Sequence, residues 1–164
     1  MAVSLEEQIA RYGKRLYGLC VKLCGNTYNA DDLYQETWLR VCAKIDRYDP
    51  SQPFEPWLTT ICVNSWRDSL RRNRLERLTA AFSTEEERDR AIQSVPAEDN
   101  SEENAALWEA VRRLPEKYGT AVILHYFRGY DVKTLSQILK IPEGTVKYRL
   151  HRARELLKGE LTND

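Results

Sequence analysis

The sequence predicts an all-α protein of two small helical domains joined by a flexible acidic linker, and three observations predict it. Apolar residues on both flanks recur at spacings of three and four, and no strand-like alternation persists. Between the flanks, residues 76–104 hold few large apolar side chains. They carry the acidic run Glu85-Glu86-Glu87, then Pro96 and Ala97-Glu98-Asp99-Asn100-Ser101, the composition of a tether. Charge follows the same division: residues 1–75 carry 11 basic and 9 acidic side chains, 76–104 carry 3 and 9, and 105–164 carry 11 and 7. A formal net charge of zero therefore conceals two mildly basic blocks around an acidic one. Domains are expected over 1–75 and 105–164, with the linker at 76–104.

Composition narrows the function classes. A chain of 164 residues has room for one domain or two small ones, and is too short for most large catalytic folds. With 42% hydrophobic and 30% charged residues it is neither collagenous nor wholly disordered. No run approaches the roughly 18 apolar residues of a membrane helix, and MAVSLEEQIARYGKR lacks the apolar stretch of a signal peptide. A cytoplasmic protein without direct membrane insertion is expected. Cys20, Cys24, Cys42 and Cys62 each lie in an apolar-periodic stretch, with neither Cys-x-x-Cys nor Cys-x-x-His in the chain. They read as small core residues kept reduced, and no metal or cofactor is expected. There is no Gly-rich phosphate loop, nucleophile elbow or His-Glu-x-x-His, and Asp31-Asp32 and Glu85 to Glu87 adjoin no group that would tune a pKa. The expectation is a protein that is not an enzyme, with no catalytic residue and no small-molecule substrate.

The elements follow in order. A first helix covers about Leu5 to Leu23 and stops near Gly25-Asn26. A second starts at Asn29, whose side chain can cap it while Asp31, Asp32 and Glu36 crowd the positive end of its dipole, and it runs to about Ile45. Arg47 to Pro56, with prolines at 50, 53 and 56, must be a loop. Pro56 suits the first turn of a third helix that continues to about Arg74. Beyond the linker, a helix from near Glu102 to Arg113 breaks at Pro115, and another covers Glu116 to Phe127 and stops at Gly129. Then come Val132 to Leu139, a turn at Lys140-Ile141-Pro142, and Gly144 to about Lys158. Two helices joined by a short turn, the second one basic, have the outline of a helix-turn-helix.

Three constellations carry chemistry. At 100° per residue the last helix places Val146, Leu150, Ala153 and Leu157 on one apolar stripe, and Tyr148, His151, Arg152 and Glu155 opposite. Lys147 lies on the flank near the helix start, where a recognition helix touches base edges, while Arg149, Arg154 and Lys158 lie nearer the borders and suit phosphates. The small Ser136 sits where the two helices must pack closely. The alternative for this helix is a merely solvated basic face. In the second helix, Asp32, Gln35, Glu36, Leu39 and Ala43 form an outward ridge while Leu33, Thr37, Val41 and Ile45 face the core. Acid and exposed leucine on one ridge fit a protein docking face, although a lone exposed leucine is also common. Third, Tyr48, Phe54, Trp57 and Trp66 interleave with Asn64, Arg67, Arg71, Arg72 and Arg74, as stacking on unpaired bases requires. Trp57 shares a face with Ile61 and belongs to the core; Tyr48 and Phe54, in the Pro-rich loop, are the candidates for contact.

ADDLYQETWLRV (30–41), FEPWLTTICVNSWRDSLRR (54–72) and EGTVKYRLHRARELLK (143–158), in this order and spacing, resemble the extracytoplasmic-function sigma factors of the sigma-70 family over nearly the whole chain except the linker. The resemblance implies a bundle of sigma region two and a helix-turn-helix of region four, acting with core RNA polymerase (its β′ clamp helices and β flap), promoter DNA and an anti-sigma factor as partners. It implies that Asp32, Gln35, Glu36 and Leu39 dock on the β′ clamp coiled coil. The Tyr48 to Pro56 loop and the helix bearing Asn64, Arg67 and Arg71 would capture a flipped base of the −10 element and open the duplex. Lys147, Tyr148, His151 and Arg152 would read the −35 element in the major groove. The linker would thread toward the polymerase cleft, with acid mimicking nucleic acid, or serve only as a solvated tether. Two positions depart from the pattern. Lys140 stands where the family usually has glycine, so either a left-handed backbone there is strained by about 1 kcal/mol or the turn differs slightly. Tyr148 stands where serine is frequent, which leaves the promoter sequence open. The function expected is a transcription initiation factor that directs core polymerase to −10/−35 promoters and helps melt them. Its rivals are a stand-alone helix-turn-helix regulator and a protein-interaction module.

Overall fold

A computed structural model of the chain describes residues 3–79 and 102–162, so most of the expected acidic linker lies outside the described residues. The described residues are helical, without strands, and fall into two compact units, one to each side of that segment.

The first unit holds α1 (Leu5–Cys24), α2 (Thr27–Lys44), a single 3-10 turn (Ile45–Arg47) and α3 (Phe54–Thr79). The Ser4 side chain caps α1 by accepting from the Glu7 N–H, with Glu6 and Glu7 in the first turn. The helix closes at Gly25, whose φ of 78° is a left-handed conformation that glycine adopts without a Cβ penalty, and whose N–H donates to the Val21 carbonyl at 2.7 Å. The next helix then starts sooner than expected. Asn26, not Asn29, is its cap: extended at φ −151°, it accepts the Asn29 N–H on Oδ1 at 2.8 Å. Asp31 and Asp32 consequently lie beyond the first turn, away from the positive end of the dipole that they were expected to crowd.

α3 begins at Phe54 and keeps Pro56 within its first turn, where a missing N–H leaves no bond unmade. It outlasts its expected end at Arg74 by five residues. Leu75 and Leu78 are exposed there, so no core pattern marks the extension; the helix propensity of Arg, Leu and Glu sustains it. α1 packs along α2, and α2 along α3. The core is Leu16, Leu19, Cys20 and Leu23 against Ala30, Leu33, Trp38 and Val41, closed by Leu58, Ile61, Cys62 and Val63. Each fully buried aliphatic side chain contributes about 1.5–3 kcal/mol. The hydroxyls of Thr37 and Ser65, buried among them, donate to the carbonyls of Leu33 and Ile61 one turn back. Cys20 and Cys62 are the core residues expected, their Sγ atoms 3.9 Å apart. Cys42 corrects that expectation for its own position, because it lies on the exposed side of α2.

The second unit holds α4 (Glu102–Arg113), α5 (Glu116–Val122), a π turn (Ile123–Phe127), α6 (Val132–Leu139) and α7 (Glu143–Thr162). The helix expected over Glu116 to Phe127 changes pitch at Ile123, whose carbonyl accepts the Arg128 N–H five residues on. Gly129 at φ 77° ends it. Asp131 caps α6, accepting the Thr134 N–H at 2.7 Å. α5 and α6 both pack on α7, burying Gly119 to Leu124, Leu135, Ile138 and Leu139 with the apolar stripe of the last helix.

Candidate functional site

Between α6 and α7 stand three residues, 140–142, and the first of them adopts φ 56° and ψ 48°. Lys140 thus holds the left-handed conformation for which the sequence implies strain of about 1 kcal/mol. Hydrogen bonds hold the turn in place: Ser136 accepts the N–H groups of Lys140 and Ile141 on its carbonyl, and its hydroxyl donates to the Ile141 carbonyl at 2.5 Å. The small side chain expected for close helix packing is a staple of the turn itself.

That turn aims α7. Val146, Leu150, Ala153 and Leu157 are buried, and Lys147, Tyr148, His151, Arg152 and Glu155 are exposed, as the helical spacing predicts. Within the outer face, Glu155 holds two neighbours: His151 Nε2 lies 2.9 Å from one carboxylate oxygen and Arg152 donates to the other at 3.1 Å. The hydrogen bond from Arg152, and then the charge of His151, hold the Glu155 carboxyl below the usual range. Of the border residues, Arg149 is half-buried while Arg154 and Lys158 are exposed. Arg154 donates to the Tyr126 hydroxyl at 2.8 Å, which braces it against the π turn. No sequence spacing discloses that tie across 28 residues, whereas the Glu155 contacts at i−4 and i−3 follow from helical geometry.

On α2 the ridge is present. Asp32, Gln35, Leu39 and Ala43 are exposed, Leu39 at 67%, and Glu36 is half-buried. Leu33, Thr37 and Val41 are buried on the opposite side. Glu36 accepts from Arg40 at 3.1 Å, and Arg40 also reaches Asp68 of α3 at 2.8 Å, so the ridge is tied to the next helix. That hydrogen bond from Arg40 lowers the Asp68 pKa.

The aromatic loop requires a correction. Phe54 is only 8% exposed and is not a loop residue at all: it stacks on Tyr12 of α1 with centroids 5.3 Å apart. Tyr48 is half-buried, its ring 4.8 Å from Trp57 and 5.4 Å from Phe54, its hydroxyl donating to the Gln52 carbonyl. Trp57, expected in the core, is half-buried at the outside of this cluster. Phe54 thus has little open face to offer a base, whereas Tyr48 is only partly covered by its neighbours. Asn64 and Arg71 are exposed on α3, Arg71 with a carboxylate oxygen of Asp68 at 3.5 Å, and Arg67 is half-buried. Among the described residues no cluster of three or more His, Cys, Asp or Glu is placed to hold a metal, and no helix is long and apolar enough to cross a membrane.

A short helix, a three-residue turn and a second helix with a basic and aromatic outer face define a helix-turn-helix DNA-binding protein, here sharing its chain with a helical bundle that bears an acid-and-leucine ridge. The chain matches the sigma-70 region 2 family over residues 8–76 and the sigma-70 region 4 family over 104–157. It is 30% identical over 158 residues to the ECF RNA polymerase sigma factor SigW of Bacillus subtilis, an alignment covering 92% of this chain and 84% of that protein. It is 32% identical to the ECF RNA polymerase sigma factor EcfG of Rhodopseudomonas palustris, covering 98% and 87%. Its fold is that of the sigma factor RpoE from Bartonella quintana, solved in complex with the anti-sigma factor NepR, with a TM-score of 0.79 at 23% identity over 97% of each chain. The chain belongs to the extracytoplasmic-function RNA polymerase sigma factors of the sigma-70 family, transcription initiation factors that bind core RNA polymerase and promoter DNA. With both regions matched in order, the stand-alone regulator and the interaction module are not favoured.

Proposed function

We propose that the two units divide the work of initiation. Residues 1–75 dock on core polymerase and act on the −10 element, residues 105–164 read the −35 element, and 76–104 tether them. The ridge of Asp32, Gln35, Glu36 and Leu39 is the surface for the β′ clamp helices. Its apolar member would be desolvated against the partner while the acids set register and on-rate. On α3, Asn64, Arg67 and Arg71 face the −10 strand and the half-buried Tyr48 meets a base from the loop, whereas Phe54 supports the loop. Lys147, Tyr148, His151 and Arg152 of α7 meet base edges, with Arg149, Arg154 and Lys158 on phosphates. The second unit also offers a surface to the β flap, and an anti-sigma factor sequesters the protein in the cytoplasm. The factor recruits and melts without chemistry of its own.

The observation that carries this reading is Leu39, two-thirds exposed in the middle of an acidic ridge whose opposite side is sealed core. Leu39→Arg should abolish co-purification with core polymerase and run-off transcription from a library of −10/−35 promoters, while helical content and melting temperature stay near wild type. Polymerase binding that survives the substitution would remove the ridge from the interface.

A further inference from the structure

The outer face of α7 is two adjacent rows. Lys147, His151 and Glu155 follow one another at i, i+4, i+8, and Tyr148 and Arg152 run beside them at i, i+4. Glu155 is the member that joins the rows, since its two carboxylate oxygens go one to His151 of its own row and one to Arg152 of the other. All three side chains are open to solvent, so the contact is no part of the core and the burial of α7 does not require it. Yet a carboxylate on a face that approaches phosphates is repelled by them, and weakens attraction to DNA of any sequence. An acid within such a face calls for a compensating role.

We infer that Glu155 is a positioning residue for −35 reading, which aims the Arg152 guanidinium and the His151 imidazole at base edges and makes the interface selective at the expense of general affinity. The inference rests on the assignment of α7 to the −35 element. Arg152 gives Glu155 hydrogen from a single terminal nitrogen, and a guanidinium has five N–H donors. The remaining donors are free to form a two-pronged contact with the O6 and N7 of a guanine. A long side chain otherwise loses rotamer freedom when it engages a base; held by Glu155 beforehand, it loses less. The other oxygen holds His151 through Nε2, which leaves Nδ1 as the ring nitrogen that can meet a base.

The test is selection of bound promoters from a library randomised at −35, using the full-length factor with core polymerase, for wild type, Arg152→Ala, Glu155→Ala and the double variant, with a salt titration of each. If Glu155 acts through its neighbours, Glu155→Ala relaxes preference at the position that Arg152→Ala relaxes and at the adjacent one set by His151. Total binding to unselected promoters rises. In the Arg152→Ala background the further substitution leaves the Arg152 position unchanged, and circular dichroism shows the helix intact throughout. Two results overturn the inference. One is a preference in Glu155→Ala equal to that of wild type, which would make the contact incidental. The other is a change of preference at that same position by Glu155→Ala, equal with and without Arg152, which would make Glu155 a direct reader, for instance of a cytosine amino group. Should Arg152→Ala itself leave every −35 preference unaltered, the assignment of α7 fails instead, so the two failures are told apart.

Discussion

Leu33 and Leu39 stand on the same helix and meet opposite fates, one 5% and the other 67% exposed. The helical period alone separates them, which is why the ridge on α2 is legible in the sequence. Phe54 is not. Its neighbours in sequence are proline, glutamate and glutamine, the company of a loop, and its burial depends on Tyr12, 42 positions away on another helix. The two kinds of residue should answer truncation differently. Phe54→Ala removes the centre of a cluster shared with Tyr12, Tyr48 and Trp57 and should lower stability by about 3–5 kcal/mol. Asn64→Ala, on the exposed side of α3, should stay within about 0.5 kcal/mol of wild type and yet reduce permanganate reactivity of promoter thymines in the open complex. Chemical denaturation of both variants decides the first point. A Phe54→Ala protein as stable as wild type, but defective in melting, would restore the ring to the DNA.

At the level of whole elements, what the sequence discloses is their existence, and what it withholds is their junctions. Asn26 and Asn29 are equally good caps by residue type. The choice between them is made by Gly25, which turns the chain into its left-handed conformation and delivers Asn26 in the extended form a cap needs. The pitch change at Ile123 leaves no mark in composition, because Ile123 to Phe127 contains neither glycine nor proline. The cap of α6 is better defined and carries a pH dependence. Hydrogen bonds from Thr134, the backbone N–H foremost, hold the Asp131 carboxyl below its ordinary value. A depressed pKa means that its stabilisation is complete above the ordinary aspartate range and disappears as pH falls through the lowered value. Acid titration of the second unit's helicity should therefore show a step that Asp131→Asn, which caps without titrating, removes. An identical acid profile for the two proteins would show that the carboxylate charge adds nothing.

For the molecule as a whole, the division into two basic blocks is written in the charges, and each unit proves to have a core of its own. Leu150→Ala, a truncation inside the second core, should cost about 2–5 kcal/mol there and lower the unfolding temperature of that unit while leaving the first unit's transition in place. A shift of both transitions together would reveal coupling between them. Telling the transitions apart requires a reporter that sees one unit only, and the cysteines provide it, since all four lie in the first 62 residues and none in the second unit. Cys42 is open to solvent. Burial pushes the Cys24 thiol up to about 12. The contact with Cys62, and then burial, raise that of Cys20. A thiolate-seeking reagent should thus add one label to the native protein at once and the rest only as the first bundle opens. Counted by mass, those delayed labels are a stopwatch for one half of the protein, started by nothing more than the addition of iodoacetamide.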